Sequence, residues 1–549
     1  MPKRIVAVFS IFCVLFCLLN LRIADLTASA DLKETAQSQR SYTLSAGKAR
    51  GQIYDRNFKK LVNTAQKTVS AVSPQAETAA QILDGAEYPT ESELEKSRLR
   101  QQLYEQMQKG LPFLTDLLPK GFSCDGVTQF EVSERYSNEQ LAANIIGYIN
   151  GDGEGITGVE QAYDSLLSSV GEEVNVHYTL NGVGTALLNG KAEIETTGDG
   201  KTGVVLTLDR EIQAICENVG AKKIEKGAIV VMEPETGKLI ACASFPQYDP
   251  NDIESSLDNE DGALLNRCFT AYPVGSTFKI AVAAAALDMG YSPEEVYECK
   301  GWMDVSGRPF NCHLLSGHGE IAMKTAMVES CNTYFIHLGG QIGAQKIVEY
   351  AQNLSFGRRS DFGRGLFSAA GLLPKASELP NPADVANLSF GQGNLLATPV
   401  QLCQMVSAVV NDGWTPAAQL VEGTTTDGET ITPVETQAPT AAMTEQTAAT
   451  LRDFLESAVE QKDNMMAKPT RVTAAGKTAT AQTGSYDEET GEEILDVWFA
   501  GYFPAEQPKY VVSVMVEHGQ TGNLSAGPVF AELADQITVL EEIRGQSEN

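Results

Sequence analysis

"AYPVGSTFKIAVAAAALDMG", residues 271–290, puts a serine and a lysine one helical turn apart, Ser276 and Lys279, at the mouth of an alanine-rich run. Pro273 and Gly275 interrupt what comes before, and from Thr277 the succession of Ala, Val, Ile and Leu predicts a buried helix with Ser276 near its N-terminus. A spacing of three brings the two side chains onto one face. On its own the pattern is cheap, because a capping serine followed by a surface lysine is the commoner arrangement. A second copy, Ser45 to Lys48, occurs in the same chain.

At 549 residues the chain is long enough for two or more cored domains, and 43% hydrophobic with 20% charged residues is a globular composition. A net charge of -30 argues against nucleic acid as a partner, since phosphates would be repelled over most of the surface. Near the N-terminus, Lys3 and Arg4 precede the apolar span Ile5–Leu21, which predicts a transmembrane anchor. The preceding positive charges place that end in the cytoplasm and the rest of the chain outside. Ala28-Ser29-Ala30 has the form of a signal-peptide cleavage site, but Asn20, Arg22 and Asp25 separate it from the apolar core, which favours an uncleaved anchor. The domain reading is a cytoplasmic tail over 1–4, an anchor over 5–24, a mixed N-terminal pedestal over 25–200 and a C-terminal domain over 201–545.

Within the pedestal, RGQIYDRNFKKLVN (50–63) is followed by a charge-rich helical pattern over 90–118, and 174–208 alternates in short runs (VNVHYTL, ALLNG, AEIETT, VVLTL) that read as strands. From Leu206 the texture changes. LTLDREIQAICENVG reads as a strand end and a helix, and GAIVVMEPETGKLIACASF as two strands around a turn at Glu235–Gly237. A largely helical block runs to about Val410, the Thr-rich segment 423–440 reads as an exposed loop, and VVSVMVE (511–517) and PVFAELADQITVLEEI read as a strand and a closing helix. Strands at both ends with helices between them predict an α+β domain with one sheet assembled from distant pieces of chain.

Two further patterns give the opening pair its meaning. Ser330-Cys331-Asn332 lies in "MVESCNTYF", and Lys477-Thr478-Ala479-Thr480 lies in "AAGKTATAQTG". The order Ser-x-x-Lys, Ser-x-Asn, Lys-Thr-x-Thr resembles that of penicillin-binding proteins and serine β-lactamases. The separations, 54 residues from Ser276 to Ser330 and 147 from Ser330 to Lys477, suit a transpeptidase domain. Lys201-Thr202-Gly203 spells the literal Lys-Thr-Gly triplet, but it precedes the serine and sits in a turn leading into VVLTL. RGQIYDRN (50–57), GITGVEQAYDSLL (155–167), LTLDREIQ (206–213), FPQYDPN (245–251) and GQGNLLATPVQL (391–402) extend the likeness to class B penicillin-binding proteins of the division, elongation or sporulation type.

That resemblance implies the penicillin-binding transpeptidase fold, an antiparallel sheet flanked by helices, on a non-catalytic pedestal with one N-terminal transmembrane helix. No glycosyltransferase module is read in the chain. The implied activity is D,D-transpeptidation of peptidoglycan stem peptides, with acylation by β-lactams, on the outer side of the cell membrane, beside a membrane-embedded glycan polymerase. Ser276 would attack the carbonyl of a terminal D-Ala-D-Ala and Lys279 would serve as its base, neutral through burial and the nearby Lys477 cation. Ser330 resembles the family's proton relay and Asn332 its contact to the substrate backbone. Thr478 and Thr480, on one face of a strand, would hold the terminal carboxylate, and the Ser276 and Thr480 N–H groups would form the oxyanion hole. Ala479 departs from the family's usual glycine. Two other functions fit the same motifs: a membrane-anchored β-lactamase, and a non-catalytic penicillin-binding scaffold or sensor.

The chemistry requires no cofactor. Even so, Cys299, Cys312, His318 and Cys331, with 12, 5 and 12 residues between them, supply the three thiolates and one imidazole that suit tetrahedral zinc. A Cys299–Cys312 disulfide and unlinked buried thiols are the competing readings. If a structural zinc is present, Cys331 would tie the Ser330–Asn332 turn to the 299–318 loop.

Overall fold

The computed structural model describes residues 2–28, 41–180, 192–257, 259–487 and 490–547. Chain contacts gather into two units that interleave along the sequence: Met1–Arg50, Asn63–Arg135 and Gly171–Gly200 form one, and Gly51–Val62, Tyr136–Val170 and Lys201–Asn549 the other. The expected pedestal over 25–200 is therefore corrected at two places, since 51–62 and 136–170 fold with the C-terminal unit. Strand pairing and burial explain this. Gln52–Tyr54 runs parallel to Gly203–Leu206, and Ile53, Ile145, Val159, Tyr163 and Leu167 are buried in that unit's core. The Lys201-Thr202-Gly203 triplet supplies the close approach, because a Cβ on Gly203 would stand 2.0 Å from the Gln52 carbonyl.

The first unit contains the helix Pro2–Ala28, longer than the expected 5–24 span and, over Lys3–Thr27, long and apolar enough to cross a membrane. Ser29 and Ala30 of the candidate cleavage site and the ALLNG run lie outside the described residues. Two antiparallel three-stranded sheets follow. One has the order Ser41–Lys48, Glu173–Thr179, Glu193–Thr197, and the other centres on Ala65–Val72 between Phe113–Thr115 and Val127–Glu134. Ser92 caps the helix Glu93–Gln108 by accepting from the Glu95 N–H, and Leu103 and Met107 turn inward against Val72 and Ile82. Ser45 and Lys48 lie in a strand, so their spacing has no helical meaning.

In the second unit a five-stranded sheet runs in the order Leu239–Phe245, Gly227–Met232, Tyr510–Val516, Glu493–Phe503, Ala475–Tyr486, with every neighbour antiparallel. On one face Ile229, Val231, Phe499 and Val512 meet Ile212 and Cys216 of the helix Arg210–Lys223, and Val529, Phe530 and Leu533 of the helix Gly527–Ser547. The other face, through Val230, Met232, Ala500 and Met515, shares a core with the helices Lys279–Asp288, Pro399–Val410 and Glu445–Glu460. Lys279 to Ala286 are all buried. A helix apolar on every side belongs inside, and its small alanines let neighbouring helices pack close. The segment 423–440 is not wholly a loop: Val421–Thr425 is a strand with alternating burial that pairs with Gly203–Leu206 and with Thr432–Pro433.

Candidate active site

Ser276 sits in a 3-10 turn, Gly275–Phe278, that runs directly into the helix Lys279–Asp288. Gly275 has φ +55°, and a Cβ there would come within 2.9 Å of the Thr480 carbonyl oxygen, so the turn lies against the strand carrying Lys477 to Thr480. Its N–H donates to the Gly391 carbonyl at 3.0 Å, and a Cβ on Gly391 would stand 1.8 Å from the Gly275 oxygen. Trp498, the cross-strand partner of Ala479, donates from Nε1 to the Pro273 oxygen at 2.7 Å. Ser276 is thus fixed by backbone contacts on both sides. Its own side chain is half-buried.

Lys279 is fully buried, and its Nζ meets three acceptors on the second motif: the Ser330 carbonyl at 2.7 Å, Ser330 Oγ at 3.1 Å and Asn332 Oδ1 at 2.7 Å. Burial pushes its pKa down to about 7; Cys331 and Cys312 oppose this when they carry thiolate charge, and the Lys462 ammonium adds to it. A neutral amine has two hydrogens, enough for the two 2.7 Å carbonyl-type acceptors, and its lone pair remains for a hydroxyl.

Ser330 occupies the left-handed region, φ +56°, in the turn between the helices Met323–Val328 and Asn332–Ile342. Such backbone costs a non-glycine residue about 1–3 kcal/mol and persists only where its surroundings impose it. Here they do: Lys279 grips the turn from one side, and the fully buried Cys331, whose N–H donates to the Ala326 oxygen, anchors it from the other.

Along Ala475–Tyr486, Lys477, Ala479 and Ala481 are buried while Thr478 and Thr480 are half-exposed, the alternation expected of a strand. Lys477 donates to the Thr478 carbonyl at 2.9 Å. Burial, with Lys279 and Lys462 adding in the same sense, pushes it well below the usual lysine range. Thr480 Oγ1 accepts from the Gly522 N–H at 3.3 Å, and a Cβ on Gly522 would stand 2.5 Å from the Ala479 oxygen. Ala479 lies in the core cluster that also holds the Ala-rich helix.

Every motif residue expected from the sequence is therefore in one neighbourhood. Lys279 and Lys477 repel each other as expected, and a second cation that the sequence reading missed, Lys462, presses on both. Lys462 follows the helix Glu445–Glu460, donates to the Val328 carbonyl at 2.9 Å and pairs with Glu329 at 3.3 Å, next to Ser330. No local pattern distinguishes it from any other lysine after a helix. Gly391 and Gly522 were equally invisible as contacts, though the first stands in a quoted motif.

The four residues of the cysteine cluster also converge, with ligand atoms all within 4.8 Å of one another. Cys299 ends the strand Tyr297–Cys299, Cys312 follows the strand Arg308–Asn311, His318 precedes Gly319–Ile321, and Cys331 immediately precedes the helix Asn332–Ile342. All three cysteines are free thiols.

Comparison with known proteins gives a consistent result. The penicillin binding protein transpeptidase domain family matches residues 227–535. Stage V sporulation protein D of Bacillus subtilis is 28% identical, the match covering 97% of this chain and 84% of that protein. Peptidoglycan D,D-transpeptidase PbpA of Mycolicibacterium smegmatis is 30% identical over 78% of this chain and 87% of that protein. Among solved structures, Helicobacter pylori penicillin-binding protein PBP2 superposes with a TM-score of 0.69 at 22% identity, covering 91% of this chain and 99% of that one. Penicillin binding protein 3 of Mycobacterium tuberculosis, complexed with ampicillin, does so with a TM-score of 0.65 at 23% identity over 91% and 97%.

Proposed function

The chain belongs to the class B penicillin-binding proteins and is a peptidoglycan D,D-transpeptidase, and from that premise we propose that it works through an acyl-enzyme on Ser276. In the first half-reaction Ser276 Oγ attacks the penultimate D-Ala carbonyl of a stem peptide and its proton passes to Lys279 Nζ. The C–N bond breaks, the terminal D-Ala nitrogen takes a proton through Ser330 Oγ, and D-Ala leaves. In the second, the amine of a neighbouring stem peptide attacks the ester, the C–O bond breaks, and Ser276 regains a proton. The Ser276 and Thr480 N–H groups stabilise the oxyanion, Asn332 holds the substrate backbone, and Thr478 and Thr480 beside Lys477 receive the carboxylate.

The observation that carries this reading is the buried Lys279 amine, poised near pKa 7 with Ser330 Oγ and Asn332 Oδ1 as partners. β-Lactams enter the same cycle and stall at the ester. The apolar helix over Lys3–Thr27 anchors the chain, with the catalytic unit outside the cell, where a membrane-embedded glycan polymerase would supply the strands to be linked.

Intact-mass measurement after benzylpenicillin, repeated after prolonged washing, tests the proposal. One lasting adduct on the wild type and none on a folded Ser276→Ala variant is expected. Rapid loss of the adduct would make the protein a β-lactamase, no adduct a scaffold, and undiminished labelling of the variant would move the nucleophile elsewhere.

A further inference from the structure

Beside the catalytic turn lies a cluster with no part in acyl transfer. Zinc bonds of about 2.3 Å to sulfur and 2.0–2.1 Å to nitrogen place the ligands of a regular tetrahedron about 3.8 Å apart for S···S and about 3.6 Å for S···N. Here Cys312 Sγ and Cys331 Sγ are 3.8 Å apart, and His318 Nδ1 is 3.5 Å from Cys299 Sγ and 3.6 Å from Cys312 Sγ. A disulfide needs its sulfurs about 2.0 Å apart, and three thiols cannot all pair off within the cluster.

The surroundings are arranged for ligands as well. Thr333 Oγ1 donates to Cys299 Sγ at 3.1 Å, as a hydroxyl supports a thiolate that carries a metal. The loop closes through glycines: Gly317 has φ +79°, and a Cβ there would stand 2.2 Å from the Cys299 carbonyl. The Cys312 N–H donates to the Gly301 oxygen at 2.8 Å.

We propose that Cys299, Cys312, His318 and Cys331 bind one structural zinc ion that fastens the Ser330–Asn332 turn to the 299–318 loop. Three ligands come from that loop and the fourth lies between two motif residues of the site. The loop also carries the hairpin Trp302–Val305 and Arg308–Asn311. From it the Asn311 carbonyl accepts from Asn332 Nδ2 at 3.5 Å, and Phe310 meets Phe390, next to Gly391, edge to face with ring centroids 6.4 Å apart. The ion would therefore hold two walls around Ser276 while touching no substrate. Binding displaces protons from the thiols and gives a closed four-ligand site with no open position for chemistry.

The test uses the full chain purified without chelator. About one zinc per chain is expected, together with visible d–d absorption of tetrahedral, thiolate-bound cobalt after exchange with Co(II). His318→Ala, at a half-buried position, should weaken zinc affinity at least tenfold. His313→Ala, whose exposed ring lies 3.9 Å from Cys312 Sγ, should leave it unchanged. Stripping the metal should increase hydrogen exchange over 299–318 and 330–332 and slow acylation by benzylpenicillin, and zinc should restore both. Less than a tenth of an equivalent of zinc would overturn the proposal, whether or not reduction yields two new thiols. So would zinc retained undiminished by both His318→Ala and Cys312→Ser, or zinc lost on changing His313 and kept on changing His318.

Discussion

The two elements that face Ser276 are held by opposite means. The strand Ala475–Tyr486 is positioned by its main chain: it pairs with Glu493–Phe503 from Ala475↔Tyr502 through Gln482↔Leu495, and the Gly522 backbone abuts Ala479. The Ser330–Asn332 turn has no such ladder. Its left-handed Ser330 has only the short backbone bonds of the turn, Ser330 N–H to Met327 and Cys331 N–H to Ala326, and beyond them depends on two buried side chains, Lys279 on one side and Cys331 on the other. A backbone-held element takes its geometry from register and tolerates changes of side chain, whereas a side-chain-held turn answers to single atoms.

Removing the grip on the turn should have the largest effect. Lys279→Met keeps the buried volume but deletes the base and all three contacts, and stopped-flow acylation by a fluorescent penicillin should slow by about 10³-fold or more. A fall of only a few-fold would show that the turn stands without Lys279 and that another group accepts the proton. Acidity probes the same lysine without altering the chain. With its pKa lowered to about 7, the amine is free above that pH and protonated below it. The acylation rate should therefore be level above pH 8 and fall about tenfold per unit below 7, roughly 10²-fold by pH 5. A flat profile would remove Lys279 as the base.

On the strand side the sensitive point is backbone contact. Gly275→Ala would place a methyl 2.9 Å from the Thr480 oxygen at φ +55°, and should slow acylation by about 10- to 100-fold by spreading turn and strand apart. An unaffected variant would mean that the strand yields more readily than its ladder implies. The smallest effect belongs to Ala479→Gly. The methyl is already accommodated in the core beside Trp498 and its removal leaves the ladder intact, so acylation should stay within about threefold of the wild type and not fall below it. A larger drop would show that the site is built around alanine.

How much of this was legible follows from the same contrast. Elements set by local pattern were readable: the alanine-rich helix from its uninterrupted small apolar residues, the catalytic strand from alternation, and the sheet's assembly from both flanks of the domain from where the β-rich runs fall. The motif order brought Ser276, Lys279, Ser330, Asn332 and Lys477 into one reading before any distance was known. Contacts between distant backbones were not readable. Lys462 approaches Lys279 only because the helix Glu445–Glu460 ends beside Val328, and the return of 51–62 to the second unit rests on a three-residue parallel pairing. The Thr-rich stretch misled because threonine serves loops and strands equally, and its pairing partner lies more than two hundred residues away.

The order of strands in the five-stranded sheet has a consequence for how the domain comes into being. Tyr510–Val516, the last of the five in the chain, lies at its centre, joining the hairpin 227–245 to the pair that carries Lys477. Until that strand has been made and delivered, the early hairpin and the catalytic strand have no common frame. Contacts of such long sequence separation make folding slow. A chain emerging in order would hold its serine, its lysine and its Ser330 turn for about 180 residues of synthesis or more before Tyr510–Val516 could take its place. Competence to react with penicillin therefore arrives late and all at once, and a pulse of label during refolding would report the insertion of one strand.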